Sequence, residues 1–301
     1  MLLYISKSNF PYHNLAVDEY FVREFYKENG EDILHIYIND KSVILGKNQS
    51  IYTELNLPYL HQNKIPIYRR ISGGGTVYQD LGNINISFVT RFESKNFNQY
   101  RHLTQPLVEL LQEFNINAYH TERNDIFVDG YKISGNAQFT TKDVILTHGT
   151  LLFDADIKNL QNALHKMDIE VETYASNSVK SSVKNLKDYL PKIDIHELLS
   201  LIVQKYRQYY DIKLVEDLDF NKIIAYINKY KNVDWNLYET PPAKIKTKVL
   251  NQNTVFDVIL IVKNCKIIDF EYDGNIKVDI NRVSKLIGSY YLPFETTIIK
   301  I

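Results

Sequence analysis

An α+β fold, with mixed, largely antiparallel sheets packed with helices and a small α+β C-terminal unit, is what this sequence predicts. Strand patterns occur in neighbouring runs joined by short turn signals, and helical stripes are segregated between those runs instead of alternating with every strand. A further observation sets the division. Residues 234–242 hold the single tryptophan and a Pro-Pro pair, and the pattern beyond them changes to strands, so the expected domains are 1–240 and 241–301.

Taken in order, Val17, Tyr20, Phe21 and Phe25 form one stripe of an early helix that ends near Gly30. Residues 33–38 and 42–45, split by Asn39-Asp40, read as a hairpin. Residues 65–70 and 84–91 read as strands joined by a glycine-rich loop. Leu103, Leu107, Leu110, Leu111 and Phe114 predict a second helix, with Pro106 tolerable in its first turn or at a kink. Residues 125–128 and 131–134 flank Asp129-Gly130, a hairpin-turn signal. Residues 144–153 form a strand pattern interrupted at His148-Gly149. Asp194, with Glu197 three residues on, starts a helix whose apolar face is Leu198, Leu199, Ile202 and Tyr206. Strands over 255–262 and 266–272 and a helix over 280–287 complete the C-terminal unit.

Composition excludes several function classes. The 301 residues are 45% hydrophobic and carry 35 basic against 36 acidic side chains, a net charge of −1, so the bulk charge points neither to nucleic acid nor to an anionic membrane. No run approaches the roughly 18 to 20 apolar residues of a membrane span, and residues 1–10 lack a secretory pattern. The expectation is a cytoplasmic monomer. Cys265 is the only cysteine, which excludes an internal disulfide and a cysteine-clustered metal site.

Three stretches carry chemistry. In the first, Arg69 and Arg70 precede Ser72 and the run Gly73-Gly74-Gly75, followed by Thr76, Val77, Tyr78, Gln79, Asp80 and Asn83. Glycines without Cβ let backbone amides approach an anion, and paired arginines offer bidentate donors to phosphate or carboxylate. This is neither a Walker loop nor a dinucleotide fingerprint, because no Gly-Lys-Ser/Thr follows and the next element is a strand. In the second, Asn124-Asp125 precedes Lys132, Ser134, Gly135 and Ala137. A lysine among small residues can neutralise charge developing on a phosphoryl group, and a nearby Asp can hold Mg²⁺. The third places His148 and Gly149 at the start of an apolar run. Taken singly, each stretch is also compatible with a flexible loop, a solvated strand lysine or a structural histidine.

In this order and spacing the three stretches resemble the lipoate–protein ligase A family of the biotin/lipoate ligase superfamily. The family pattern Arg-Arg-x-x-Gly-Gly-Gly-x-Val-x-x-Asp-x-Gly-Asn, then Asn-Asp with Lys-x-Ser-Gly, then His-Gly-Thr-Leu-Leu, is present, and residues 14–20 and 178–190 resemble two further family segments. The likeness covers about residues 1–240. It implies a biotin/lipoyl ligase-like catalytic domain and an ATP-dependent enzyme that forms lipoyl-AMP and passes the lipoyl group to a protein lysine. It further implies that Lys132 is catalytic and that Arg70, Ser72, Gly73, Gly74, Gly75, Thr76, Val77 and Tyr78 hold the phosphate and adenosine. Asn83, Asn124 and Asp125 complete the nucleotide side, with Asp125 toward Mg²⁺, and Ser134, Gly135 and Ala137 lie beside Lys132. Tyr37, His148 and Gly149 would flank the lipoyl tail, with Gly149 leaving room for it. The implied acceptors are lipoyl domains of 2-oxoacid dehydrogenase acyltransferase subunits or the glycine-cleavage H protein.

Two positions depart from the family pattern: Gln79 replaces a common histidine, and Tyr37 a common tryptophan. The accessory region beyond residue 240 is also abbreviated, with Tyr272-Asp273-Gly274-Asn275 where the family has a Gly-Asp-Phe-Phe-like segment. Three alternatives stay open: a transferase that uses preformed lipoyl-AMP, a thiol-dependent octanoyl or lipoyl transferase, and a lipoate-binding protein without turnover. The thiol route needs a cysteine in the catalytic domain. Cys265 lies beyond it, in a strand-like run.

Overall fold

The computed structural model describes residues 1–98, 100–251, 254–272, 283–296 and 298–300. The first half runs β1 (Leu2–Ile5), α1 (Pro11–Tyr20), a π turn (Phe21–Phe25), α2 (Tyr26–Asn29), β2 (Ile33–Tyr37), β3 (Ser42–Leu45), α3 (Ile51–Glu54), α4 (Leu57–Gln62), β4 (Ile67–Arg69), β5 (Val77–Gln79), β6 (Asn83–Arg91), α5 (Arg101–Glu113), β7 (Ala118–His120), β8 (Ile126–Val128), β9 (Tyr131–Thr140) and β10 (Val144–Leu152). There follow α6 (Ile157–Ala163), β11 (Glu170–Thr173), α7 (Ile195–Arg207), β12 (Lys213–Val215), α8 (Phe220–Lys231), β13 (Ala243–Asn251), β14 (Thr254–Lys263), β15 (Lys266–Tyr272) and β16 (Ile299–Lys300).

An eight-stranded sheet in the order β12-β1-β2-β6-β10-β9-β8-β7 forms the centre. The alternation along β2 divides its side chains between two cores. Leu34 and Ile36 join Phe88 under α5 and α7, whereas Ile33 joins Val89 and Leu146 under α1 and α8. Helices therefore cover both faces. A three-stranded sheet, β4-β3-β5, lies in a third core with α3, α4 and the C-terminal strands. β11 pairs with β13, so the C-terminal sheet includes a strand from the middle of the chain.

Local signals hold where they are chemically specific. Gly30 ends the early helix at φ +69°. Asp129 and Gly130, at φ +50° and +81°, make the β8–β9 hairpin turn. The Asp194 carboxylate accepts from the amides of His196 and Glu197 at 2.9 and 2.8 Å, capping α7.

Several expectations are corrected. β2 and β3 are not a hairpin: β2 pairs with β1 and β6, whereas β3 pairs with β4 and β5. At the corner Asn39 is fully buried, accepting from Asn14 Nδ2 at 2.8 Å and donating to Gln79 Oε1 at 2.5 Å. These bonds carry the chain out of one sheet into another. The glycine-rich loop joins β4 to β5 rather than to the strand over 84–91. His148-Gly149 does not interrupt β10, because both residues keep register with β6 and β9. Pro106 lies in the second turn of α5, beyond the first-turn position. Cys265 sits in no strand: with Asn264 it forms the β14–β15 turn, at φ +59° and +51°. The segment 273–275 and most of the start of the expected helix over 280–287 fall outside the described residues.

Candidate active site

Lys132 enters β9 opposite a bulge, where the β8–β9 register shifts between Ile126 and Phe127. A bulge re-aims the side chains beside it. The Lys132 backbone is pinned from the other side, its amide donating to Ser182 O at 2.9 Å. Its ammonium lies 2.9 Å from Asp125 Oδ1, with the side chains 26% and 17% exposed. Gly135, further along the strand, leaves the room: a Cβ there would lie 2.7 Å from Lys132 Cε and 2.8 Å from Nζ.

The glycine loop is shaped from behind. Arg70 Nη2 donates to Gly73 O at 2.5 Å and Gly75 O at 2.8 Å, Nη1 to Ile44 O at 3.2 Å and Nε to Ser72 Oγ at 2.9 Å. Gly74 has φ +82°, and a Cβ on Gly46 would collide with Gly74 O. The Thr76 amide is taken by Ser178 Oγ at 3.0 Å, and Thr76 Oγ1 donates to Gln49 Oε1 at 2.7 Å. Ser178 Oγ in turn donates to Glu54. The amides of Gly73, Gly74 and Gly75 meet no acceptor among the described residues. They are the loop's available anion donors.

Arg69 is corrected from anion donor to buried support. It is 0% exposed, and Nη1 donates to the carbonyls of Gly46, Lys47 and Gln49 at 3.1, 3.2 and 2.7 Å. Burial pulls both arginines down to about 10, which leaves them protonated at neutral pH.

A cleft with two lobes meets at Lys132. One lobe, of about 370 Å³, is lined by Leu15, Tyr37, Ile44, Arg70, Gly74, Gly75, Thr76, Val77, Asp125, Lys132, Gly135, Ala137, His148 and Gly149 among others. The other, of about 400 Å³, is lined by Glu54, Thr76, Val77, Tyr78, Asn83, Lys132, Ser134, Gly135, Lys166, Ser178 and Lys180 among others. Lys132, Gly135, Thr76, Val77 and Ser178 belong to both. Ser72, Gly73 and Asn124 line neither lobe. Ser72 is 1% exposed behind the loop, and Asn124, at φ +62°, accepts from Asn136 Nδ2 at 2.8 Å and shapes the turn before Asp125. The room beside Gly149 is filled by Asn136, whose Oδ1 a Cβ would strike, so this glycine serves β9–β10 packing.

Gln79, the position that departs from the family histidine, bonds away from the glycine loop: it donates to Asn85 Oδ1 at 2.6 Å and accepts from Asn39. Tyr37 donates to the buried Asp18 carboxylate at 3.1 Å, and burial pushes its hydroxyl well above its ordinary value. Sequence reading missed Asp18, Gln49, Glu54 and Asn136. The only signals were Ser178, at the head of one family-like segment, and Asp18, inside the other at 14–20. Among the described residues no group of three or more His, Cys, Asp or Glu could cage a metal ion. Cys265 lines neither lobe; it is 1% exposed, its thiol is raised by burial, and it donates to Leu237 O at 3.3 Å.

A lysine shared by two lobes, beside a glycine loop and with Cys265 outside both lobes, fits a ligase-type site better than a thiol relay. The chain belongs to the lipoyl protein ligase A/B family, whose catalytic-domain model matches residues 10–207. It is an enzyme of the lipoate–protein ligase kind. It is 36% identical to the lipoate-protein ligase LplJ of Bacillus subtilis over 283 residues, covering 91% of this chain and 85% of that one. The structure of Plasmodium falciparum LipL1 in complex with lipoate matches with a TM-score of 0.65 at 26% identity, over 96% of this chain and 90% of that one. A lipoate-protein ligase A bound with ATP matches with a TM-score of 0.65 at 26% identity, over 78% of this chain and 97% of that one.

Proposed function

We propose that this chain is an ATP-dependent lipoate–protein ligase whose activating lysine is Lys132. The observation that carries the reading is the position of Lys132 in both lobes, one of which it shares with Gly74 and Gly75, whose amides meet no acceptor among the described residues. The lobe with Leu15, Tyr37, Ile44, Val77 and Ala137 suits a short apolar tail, and the lobe with Tyr78, Asn83, Lys166 and Lys180 suits a nucleotide. The lipoate carboxylate, at the junction, forms a bond from oxygen to the α-phosphorus as the bond to the β-phosphate oxygen breaks and pyrophosphate departs. The neutral acceptor lysine amine then attacks the carbonyl carbon of the mixed anhydride, AMP leaves with the electrons of the broken C–O bond, and the proton lost from nitrogen passes to solvent. Lys132 neutralises charge on the α-phosphoryl oxygens, the glycine amides donate to them, and the enclosed tail keeps water from the anhydride.

Mg²⁺ would accompany ATP and neutralise its phosphates. Asp125 is its candidate protein ligand, and a single carboxylate completed by phosphate oxygens fits how Mg²⁺ is usually held. Residues 1–240 would carry the chemistry and 241–301 an accessory role. A lipoyl domain of a 2-oxoacid dehydrogenase acyltransferase or a glycine-cleavage H protein would be the acceptor. The test is lipoate-dependent exchange of labelled pyrophosphate into ATP without acceptor, with Lys132→Ala as control. Exchange that needs both lipoate and Lys132 supports the reading. Near-normal exchange in Lys132→Ala would sink the lysine's role, and no exchange by well-folded wild type would leave the transfer-only reading, tested with synthetic lipoyl-AMP.

A further inference from the structure

A hydrogen-bond chain of fixed polarity runs from α1 to the back of the glycine loop. Asp18 is 2% exposed, and its carboxylate receives His35 Nδ1 at 2.8 Å, Tyr37 Oη at 3.1 Å, Ser87 Oγ at 2.9 Å and His148 Nδ1 at 3.4 Å. A carboxylate only accepts, so a neutral His148 carries its proton on Nδ1 and presents a lone pair at Nε2. Ser72 Oγ lies 2.6 Å from that Nε2 and therefore donates to it. The Ser72 oxygen is then an acceptor for Arg70 Nε, and Arg70 holds the carbonyls of Gly73 and Gly75.

The order Asp–His–Ser invites comparison with a nucleophilic triad. Ser72 cannot serve that way here, since it is 1% exposed, lines neither lobe and takes a guanidinium N–H on its oxygen. The arrangement instead does something else: it determines which way every donor behind the loop points. His35 meets the same carboxylate in the same way, through Nδ1, and its Nε2 has no partner among the described residues.

We propose that Asp18 is a positioning residue for the activation step, acting through His148 and Ser72 on Arg70 and the glycine loop. The inference rests on that loop being the phosphate cradle proposed above. Asparagine at 18 keeps the volume but offers an NH₂ where the site supplies donors. His148 is then free to take the opposite tautomer, Ser72 faces two donors, and the Arg70 guanidinium loses its register on the loop carbonyls. Displacing a phosphate-binding loop by a fraction of an ångström to about 1 Å is worth about tenfold to 10²-fold in rate.

The test is a double-mutant cycle in the full chain, with Asp18→Asn, Ser72→Ala and the pair, reading pyrophosphate exchange with ATP and lipoate varied separately. Each single variant is expected to raise KM for ATP about tenfold or more, and the pair no more than the larger single effect, because both act on one chain. Effects that multiply, or a rise confined to KM for lipoate, would overturn the proposal and assign Asp18 to the core or the tail lobe. If thermal denaturation shows Asp18→Asn unfolded, the His148→Gln and Ser72→Ala cycle is read by the same criteria. Wild type without lipoate-dependent exchange would overturn the ligase reading itself, whereas normal wild-type exchange with a multiplicative cycle overturns this inference alone.

Discussion

Replacing Gly135 with alanine adds one methyl group at the point where the structure leaves room only for Lys132. The new Cβ would lie 2.7 Å from Lys132 Cε and 2.8 Å from Nζ, with Asp125 Oδ1 at an ordinary 3.5 Å. Carbon contacts settle near 3.5 to 4.0 Å, so the ammonium must withdraw by roughly 1 Å. The end of a flexible side chain yields more readily than a strand, and Gly135 is not among the glycines with positive φ. Backbone stability should therefore hold or rise by about 0.4 to 1 kcal/mol through the stiffer unfolded chain. A misplacement of about 1 Å at a reacting centre costs on the order of 10²-fold, or about 2.7 kcal/mol of barrier. The assay is lipoate-dependent pyrophosphate exchange alongside a thermal melt. The expected result is an unchanged or slightly raised Tm with exchange reduced about 10²-fold. Exchange within about threefold of wild type would refute the argument that this gap positions the lysine, a threefold change being under 1 kcal/mol of barrier. A large fall in Tm would show that the strand, not the lysine, had moved.

Three further outcomes follow from the geometry. Cys265→Ser should leave specific activity unchanged, since the thiol is buried away from both lobes; complete loss with the fold preserved would revive the thiol mechanism. Glu19→Ala should cost about 1.5 to 3 kcal/mol in urea denaturation, less than for a fully buried pair because the cations left behind stay partly solvated. It removes the partner of Lys229 at 2.6 Å, Arg23 at 2.6 Å and Tyr230 Oη at 2.8 Å, where α1 meets α8, and a loss below about 1 kcal/mol would contradict that assignment. Asp18 gives a pH signature. Burial alone would raise its carboxyl, but the hydrogen bonds from His148 and His35 outweigh this and hold it well below the usual carboxylate range. A depressed folded value means that the stabilisation is present above the unfolded carboxyl's value of about 3.9 and fades as pH falls through the folded one. The stability gap between wild type and Asp18→Asn should thus be wider at pH 7 than at pH 3. A gap that stays constant would show that ionisation contributes nothing.

Much of the fold is local and was legible in the residues. Asp129-Gly130 sits between its two strands because those residues tolerate positive φ, and Asp194 starts α7 because its carboxylate reaches two free amides. The failed hairpin at Asn39-Asp40 shows the limit. Alternating apolar residues identify a strand, but every residue of β2 and β3 is buried, so nothing in the pattern says which strand lies beside which. The partner was chosen by the Asn14–Asn39–Gln79 contacts across 25 and 40 residues.

The candidate site divides in the same way. The triple glycine, Lys132 and His148 announced themselves by residue type, because an anion loop needs missing side chains and a phosphoryl group needs a cation. The neighbouring arginines, alike in sequence, part company only in three dimensions: Arg69 is spent on the carbonyls around Gly46, and Arg70 on the glycine loop. Asp18 was marked only as part of the family-like segment 14–20, and its role stayed hidden, since that depends on His148, 130 residues away, and on Ser72, 76 residues from that histidine. By itself the sequence determined part of the secondary structure, the chemistry-bearing stretches and the family likeness, all set by neighbouring residues. The tertiary structure alone decided which strands pair, which donors remain free and what holds the loop, because those depend on distances between side chains that the spacing of residues along the chain does not encode.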